Sequence, residues 1–133
     1  MFEKYEFHHI GYAVKSIEET AKFFLFLGYT ITKTVIDPIQ RVHIAFLLKE
    51  NSPRIELVQP IDDESPVVSI LQKNGVTPYH MCYEVEDINE AISEMRKQKF
   101  IPLFNPVPAL AFDNRLICYF FNKNVGLIEL LNK

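Results

Sequence analysis

Hydrophobic and polar residues alternate along 7–14, and the spacing then changes to that of a helix over 16–27. The alternation predicts a strand with two different faces. The face that carries Tyr12 and Val14 is bulky, so we expect it to pack under the helix. The other face begins with His9 and otherwise carries only small residues, which is typical of a strand that lines a cavity.

The same strand–helix pattern returns in the second half of the chain, where His9 falls on His80. Further along the chain, nearly the same number of residues separates Glu56 from Glu129, so these two glutamates also occupy equivalent positions. The chain is therefore predicted to contain two copies of one strand–helix–strands module. Each copy supplies one histidine near its start and one glutamate near its end.

Capping residues support the two helices and locate the other elements. Ser16 and Asp87 each precede a glutamate by three residues, the signature of a helix N-terminus. The remaining pattern predicts strands at 29–36, 41–48 and 54–59, a short helix at 66–74, a strand at 79–85, a helix at 87–98, a strand near 100–104, a proline-rich crossing at 105–109, and strands at 115–121 and 125–131. We predict one domain over 1–133, with a first module at about 5–60, a connector at 61–77 and a second module at about 78–133.

Composition narrows the class of protein. A chain of 133 residues with 48% hydrophobic content can bury one shared core. A net charge of −3 offers no basic surface for nucleic acid. No apolar run approaches the roughly 20 residues of a membrane span, and the N-terminus lacks the apolar core of a signal peptide. We therefore expect a cytoplasmic protein with no nucleic-acid or membrane partner, in which Cys82 and Cys118 are free thiols.

The repeated histidine and glutamate are the residues with the clearest chemistry. Imidazole and carboxylate together form a mixed N/O ligand set for a divalent cation. An internal repeat normally implies pseudo-twofold symmetry, so the four side chains are predicted to converge on one ion. The alternative is structural, with each histidine hydrogen-bonded in its strand and each glutamate on a solvated face.

Several segments resemble the vicinal oxygen chelate superfamily, which includes glyoxalases, bleomycin-resistance proteins and dioxygenases. They are 8–14, 55–60, 79–85 and 126–130, and the closest likeness is to methylmalonyl-CoA epimerase-like proteins. The resemblance implies an α+β fold of two βαβββ modules that form a curved, eight-stranded mixed sheet around a central metal cavity. It places the ligands of a divalent ion (Co, Ni, Mn, Zn or Mg) at His9, Glu56, His80 and Glu129. It also implies a homodimer that acts on a small-molecule substrate, an acyl-CoA or a 2-oxo compound.

By this resemblance, the function is that of a metal-dependent isomerase or lyase that transfers a proton through a metal-bound enolate. Glu129 is the expected base, and His43 or Glu56 is its partner. His43 stands where related epimerases carry a catalytic glutamate.

Three other functions stay open on the sequence. A lactoylglutathione lyase of the glyoxalase I type is disfavoured because Ala13 and Pro60 replace the residues that grip glutathione. A metal-free resistance protein that sequesters small molecules has no need of four ligands. An Fe(II) dioxygenase keeps metal positions open for O₂, which a fourth protein ligand disfavours.

Overall fold

A computed structural model describes residues 4–133 of the chain. The described residues contain ten strands and three α-helices. In chain order they are β1 (Glu6–Ala13), α1 (Ile17–Phe26), β2 (Thr30–Ile31), β3 (Val35–Asp37), β4 (Val42–Leu48), β5 (Ile55–Pro60), α2 (Val67–Asn74), β6 (Thr77–Val85), α3 (Ile88–Lys97), β7 (Ile101–Pro102), β8 (Val107–Ala109), β9 (Arg115–Asn122) and β10 (Gly126–Asn132). A 3-10 turn at Leu110–Phe112 lies between β8 and β9.

The chain divides into two compact units. The first unit is His9–Tyr79, and the second is His80–Lys133 together with the chain up to His8. The boundaries fall inside β1 and β6 rather than in the connector predicted at 61–77. The start of β1 joins the second unit because Phe7 packs edge-on against Tyr83, with ring centroids 5.6 Å apart. The prediction of a single domain over 1–133 stays a prediction.

Within the first unit, β5 lies between a parallel and an antiparallel neighbour. It pairs in parallel with β1 and antiparallel with β4, and β2 and β3 both pair with the far edge of β4. Helix α1 covers one face of these strands. The core beneath it contains Val14, Ala21, Leu47 and Leu57, and Tyr12 packs against it from the edge. The bulky face predicted for the first strand is thus the one that packs under the helix.

The second unit repeats this arrangement with its own strands. Strand β10 pairs in parallel with β6 and antiparallel with β9, and β7 and β8 pair with the far edge of β9. Helix α3 covers a core that contains Ile88, Met95, Phe120 and Leu130. The mixed sheet and the α+β class predicted from the sequence are confirmed.

Helices α1 and α3 begin at their predicted caps. The Ser16 hydroxyl accepts a hydrogen bond from the Glu19 amide, and the Asp87 carboxylate accepts from the amides of Asn89 and Glu90. These bonds satisfy N–H groups that a first helical turn leaves without an intrahelical acceptor. After α1, Gly28 adopts a φ of 97°, a left-handed conformation that glycine reaches without strain.

The strands number ten rather than the predicted eight for two reasons: the strand predicted at 29–36 is split in two, and a further short strand, β8, lies in the proline-rich crossing predicted at 105–109. The stretch 29–36 divides into β2 and β3. Between them the Thr32 hydroxyl, rather than a backbone carbonyl, accepts a hydrogen bond from the Phe46 amide at 2.9 Å. In the second unit, β7 lies within the strand predicted near 100–104, and β8 lies within the crossing predicted at 105–109. Pro106 and Pro108 have no N–H to donate to a ladder, which keeps these strands short.

Two further findings bear on the sequence predictions. Cys82 and Cys118 are both buried free thiols, as predicted, and burial raises the pKa of Cys118 to about 11. Among the described residues, no helix is long and apolar enough to span a membrane.

Candidate metal centre

In the first unit, strand pairing brings His9 and Glu56 together. Glu56 lies opposite Gly11 in the β1–β5 ladder, and His9 is two residues before Gly11. Because side chains alternate along a strand, His9 and Glu56 project from the same face. Their nearest atoms, His9 Nε2 and Glu56 Oε1, are 3.3 Å apart.

The second unit builds the same pair in the same way. Glu129 lies opposite Cys82 in the β6–β10 ladder, and His80 is two residues before Cys82. His80 Nε2 and Glu129 Oε1 are 3.0 Å apart. The sequence repeat is therefore also a repeat of local geometry, one His–Glu pair per unit.

All four side chains are withdrawn from water. The relative exposures are 0% for His9, 2% for Glu56, 4% for His80 and 1% for Glu129. This excludes the alternative that the glutamates lie on a solvated face. No lysine or arginine is among the buried residues in the described part of the chain. A buried carboxylate in its charged form needs a compensating positive charge, which a bound cation would supply.

The donor set fits a divalent cation. Each pair offers an imidazole nitrogen and a carboxylate oxygen, and all four residues are potential ligands of a metal ion. Two ligand atoms bound to the same ion lie about 3 Å apart when each is about 2.0–2.2 Å from the metal. The separations of 3.0 and 3.3 Å within the pairs agree with that spacing.

His43 lies on the other face of the first unit's strands. Phe46 is the residue opposite Glu56, whereas His43 is opposite Gln59, which has the opposite parity. His43 lines a groove beside α1 that also contains Ile17 and Ala21. His43 shares its parity along β4 with Ala45 and Leu47, which belong to the core under the helix. The acid–base role predicted for His43 stays a prediction, and the strand register counts against it.

Sequence reasoning missed an aromatic residue next to each pair. Phe46 lies opposite Glu56, and its ring meets the His9 ring edge-on with centroids 5.6 Å apart. Tyr119 lies opposite Glu129, and its ring meets the His80 ring edge-on at 5.2 Å. The sequence shift that relates the two glutamates also relates Phe46 to Tyr119, and it was the available signal.

An ion pair lies further along the face that carries Glu129. Glu84 is two residues past Cys82 on β6, and its Oε2 accepts from Arg115 Nη1 at 3.0 Å. Arg115 Nε donates to the Phe112 carbonyl, and its guanidinium lies over the Phe112 ring. Burial raises the pKa of Glu84, but the Arg115 hydrogen bond and the charges of His8 and Arg115 lower it more, so the pKa lies below its usual range.

Comparison with known proteins places this geometry in a family. A profile of the glyoxalase/bleomycin resistance protein/dioxygenase superfamily matches residues 8–119. The chain is 32% identical over 127 residues to the mitochondrial methylmalonyl-CoA epimerase of Homo sapiens, a match that covers 92% of this chain and 71% of the human protein. It is 28% identical to an ethylmalonyl-CoA/methylmalonyl-CoA epimerase of Cereibacter sphaeroides, over 92% of this chain and 94% of that protein.

A solved structure shows that the fold is shared as well. The crystal structure of methylmalonyl-CoA epimerase from Mycobacterium tuberculosis superimposes with a TM-score of 0.84 at 23% identity, over 96% of this chain and 87% of that one. The shared fold therefore includes the strands of both units. The chain belongs to the glyoxalase/bleomycin resistance protein/dioxygenase superfamily and, within it, to the methylmalonyl-CoA epimerase family of enzymes.

Proposed function

We propose that this enzyme interconverts the two epimers of methylmalonyl-CoA, or of a closely related 2-alkylmalonyl-CoA. The observation that carries the proposal is the buried His–Glu pair that each unit presents at the same position of the same ladder. The names of the relatives support an acyl-CoA substrate over the 2-oxo compounds that the sequence left open.

His9, Glu56, His80 and Glu129 together are the proposed ligands of one divalent cation. A cation held by these residues would polarise a substrate carbonyl and so would lower the pKa of the neighbouring C–H bond. The mixed N/O set accommodates Co, Ni, Mn, Zn or Mg, and the residue types do not select among these.

The carboxylates do the proton chemistry in this proposal. Glu129 removes the α-proton, and Glu56 is the second acid–base group, since epimerisation must return a proton to the other side of the planar carbon. A carboxylate has two oxygens, so one can remain a ligand while the other takes part in proton transfer. Both glutamates are buried, so their carboxylates are shielded from bulk water.

Hydrogen exchange with solvent tests the proposal. Metal-loaded protein is incubated with methylmalonyl-CoA in D₂O, and loss of the α-hydrogen signal is followed by NMR. We expect deuterium to enter far faster than with metal-free protein. Glu129→Gln should slow entry by roughly 10²–10⁴-fold, the usual contribution of a positioned base.

Controls separate the base from the metal. Glu94→Gln is the same substitution on the helix α3, away from the pair, and should leave exchange unchanged. Metal content of Glu129→Gln must match the wild type before the loss is assigned to the base. Fully loaded wild-type protein without exchange would exclude the epimerase function, and full exchange by loaded Glu129→Gln would remove Glu129 as the base.

The role that the sequence suggested for His43 needs a separate variant. Since the register turns His43 towards α1, we expect His43→Ala to exchange and epimerise at the wild-type rate. A loss of epimerisation greater than the loss of exchange would instead restore His43 as the second acid–base group.

A further inference from the structure

The two units differ chemically at the residue opposite each glutamate. Phe46 faces Glu56 in one ladder, and Tyr119 faces Glu129 in the other. Both rings meet the histidine of their own pair edge-on, at 75° and 79°. The backbone position and the ring contact are therefore repeated, and the phenolic hydroxyl is the feature that only the second unit has.

Two aromatic rings contact the Tyr119 ring edge-on. Their centroids lie 5.2 Å (His80) and 5.9 Å (Phe104) from that of Tyr119. Directly opposed residues of an antiparallel pair have Cβ atoms about 4.5–5.5 Å apart, so Tyr119 stands beside Glu129. Because directly opposed residues share a face, the Tyr119 side chain projects from the same face of the strands as Glu129.

A donor at this place matches the charge that the reaction creates. Removal of an α-proton by Glu129 leaves a negative charge on the substrate oxygens next to that carbon. A fixed O–H group stabilises this charge more than it stabilises the neutral starting compound, and such differential stabilisation accelerates the step. Phe46 has no hydrogen to donate, so the first unit offers no equivalent.

We propose that Tyr119 is a substrate-contacting residue whose hydroxyl donates a hydrogen bond to the enolate oxygen formed when Glu129 takes the proton. This inference rests on the proposed function, since it needs an acyl-CoA at the His80–Glu129 pair. It gives the two units different tasks, with the donor in the unit that contains Glu129, the proposed base.

Tyr119→Phe tests the proposal by removing only the hydroxyl, and it makes the position identical to Phe46. The probe is a stable nitronate analogue of the enolate, a 2-nitropropionyl-CoA anion, whose binding is measured by calorimetry on metal-loaded protein. We expect affinity for the nitronate and kcat both to fall roughly 10- to 100-fold, the effect of losing one hydrogen bond to a charged group. KM for the substrate and metal content should stay at wild-type values.

A matched control removes a hydroxyl from the other face of the same unit. Tyr83→Phe changes a partly buried tyrosine that packs against the core under α3, and it should bind the nitronate as the wild type does. Equal nitronate affinity in Tyr119→Phe and wild type would overturn the inference. Loss of metal, or an equal loss of substrate and nitronate affinity, would also overturn it, because Tyr119 would then only support His80. If the wild type itself fails to bind the nitronate, the proposed function is wrong and this inference falls with it.

Discussion

At the scale of single residues, the Glu84–Arg115 pair gives a prediction about pH. The pKa of Glu84 is lowered in the folded protein, so the pair stabilises the fold above the unfolded pKa of about 4.3, and this contribution is lost as the pH falls through the folded value. We expect Glu84→Gln to lower the free energy of unfolding by about 1 kcal/mol at pH 7, since both partners are partly exposed.

Urea denaturation at a series of pH values measures this contribution. The difference between Glu84→Gln and wild type should shrink below about pH 4, where the wild-type carboxylate also becomes neutral. The control is Glu86→Gln, an exposed glutamate two residues along, which should change stability by less than about 0.5 kcal/mol. A difference that persists unchanged in acid would show that the effect of Glu84 is not electrostatic.

The His–Glu pairs could be predicted from the sequence because a histidine and a glutamate recur at equivalent positions of both modules. It did not predict Tyr119, because an aromatic residue in a strand is most often part of the core, and only the register shows which residue stands opposite Glu129. His43 illustrates the same limit. Alternation along β4 groups His43 with Ala45, but the pairing with β5 is needed to show that Glu56 lies on the other face.

At the scale of secondary structure, each long helix is tied to the last strand of its own module. The Ile17 amide donates to Gln59 Oε1 at 2.8 Å, and the Ile88 amide donates to Asn132 Oδ1 at 2.7 Å. Sequence patterns predicted the helices and their caps from local signals. These amide contacts join positions far apart in the chain, beyond the reach of any local signal. The repeat nevertheless relates them, because the shift that places Glu56 on Glu129 also places Gln59 on Asn132.

The Asn132 contact predicts a cost to stability. Ile88 is 1% exposed, so Asn132→Ala would leave a buried N–H group without this acceptor. We expect the free energy of unfolding to fall by about 1–2 kcal/mol. Asn132→Asp keeps an acceptor at the same place and should retain most of the stability in denaturant unfolding. Alanine and aspartate variants of equal stability would contradict the assigned role.

At the scale of the whole molecule, the repeat predicted the two-module α+β fold because it preserves the order of strands and helix as well as the site residues. The sequence did not predict the break between β2 and β3, the short strand β8, or the grouping of the first residues of β1 with the second unit. These features depend on contacts between distant parts of the chain. The homodimer expected from the sequence stays a prediction that light scattering can test.

Reaction specificity is also a property of the whole site. Ala13 is fully buried and follows Gly11 on the face that carries Glu56, and Pro60 ends β5. Neither can bind the carboxylates of glutathione, so we expect poor turnover of the methylglyoxal–glutathione hemithioacetal. Steady-state kinetics with a kcat/KM near ~10⁴ M⁻¹s⁻¹ or above, in the range typical of enzymes on their own substrates, would contradict this expectation.

If His9, Glu56, His80 and Glu129 are the ligands of one ion, titration with a metal ion will show a single binding event that needs both His–Glu pairs. Calorimetry with Co²⁺ is carried out on metal-free wild-type protein and on His9→Ala and His80→Ala, one variant for each pair. We expect one ion per chain for the wild type and loss of that binding in both variants, with melting curves showing that each remains folded. Two ions per chain, or full binding retained by either variant, would contradict it.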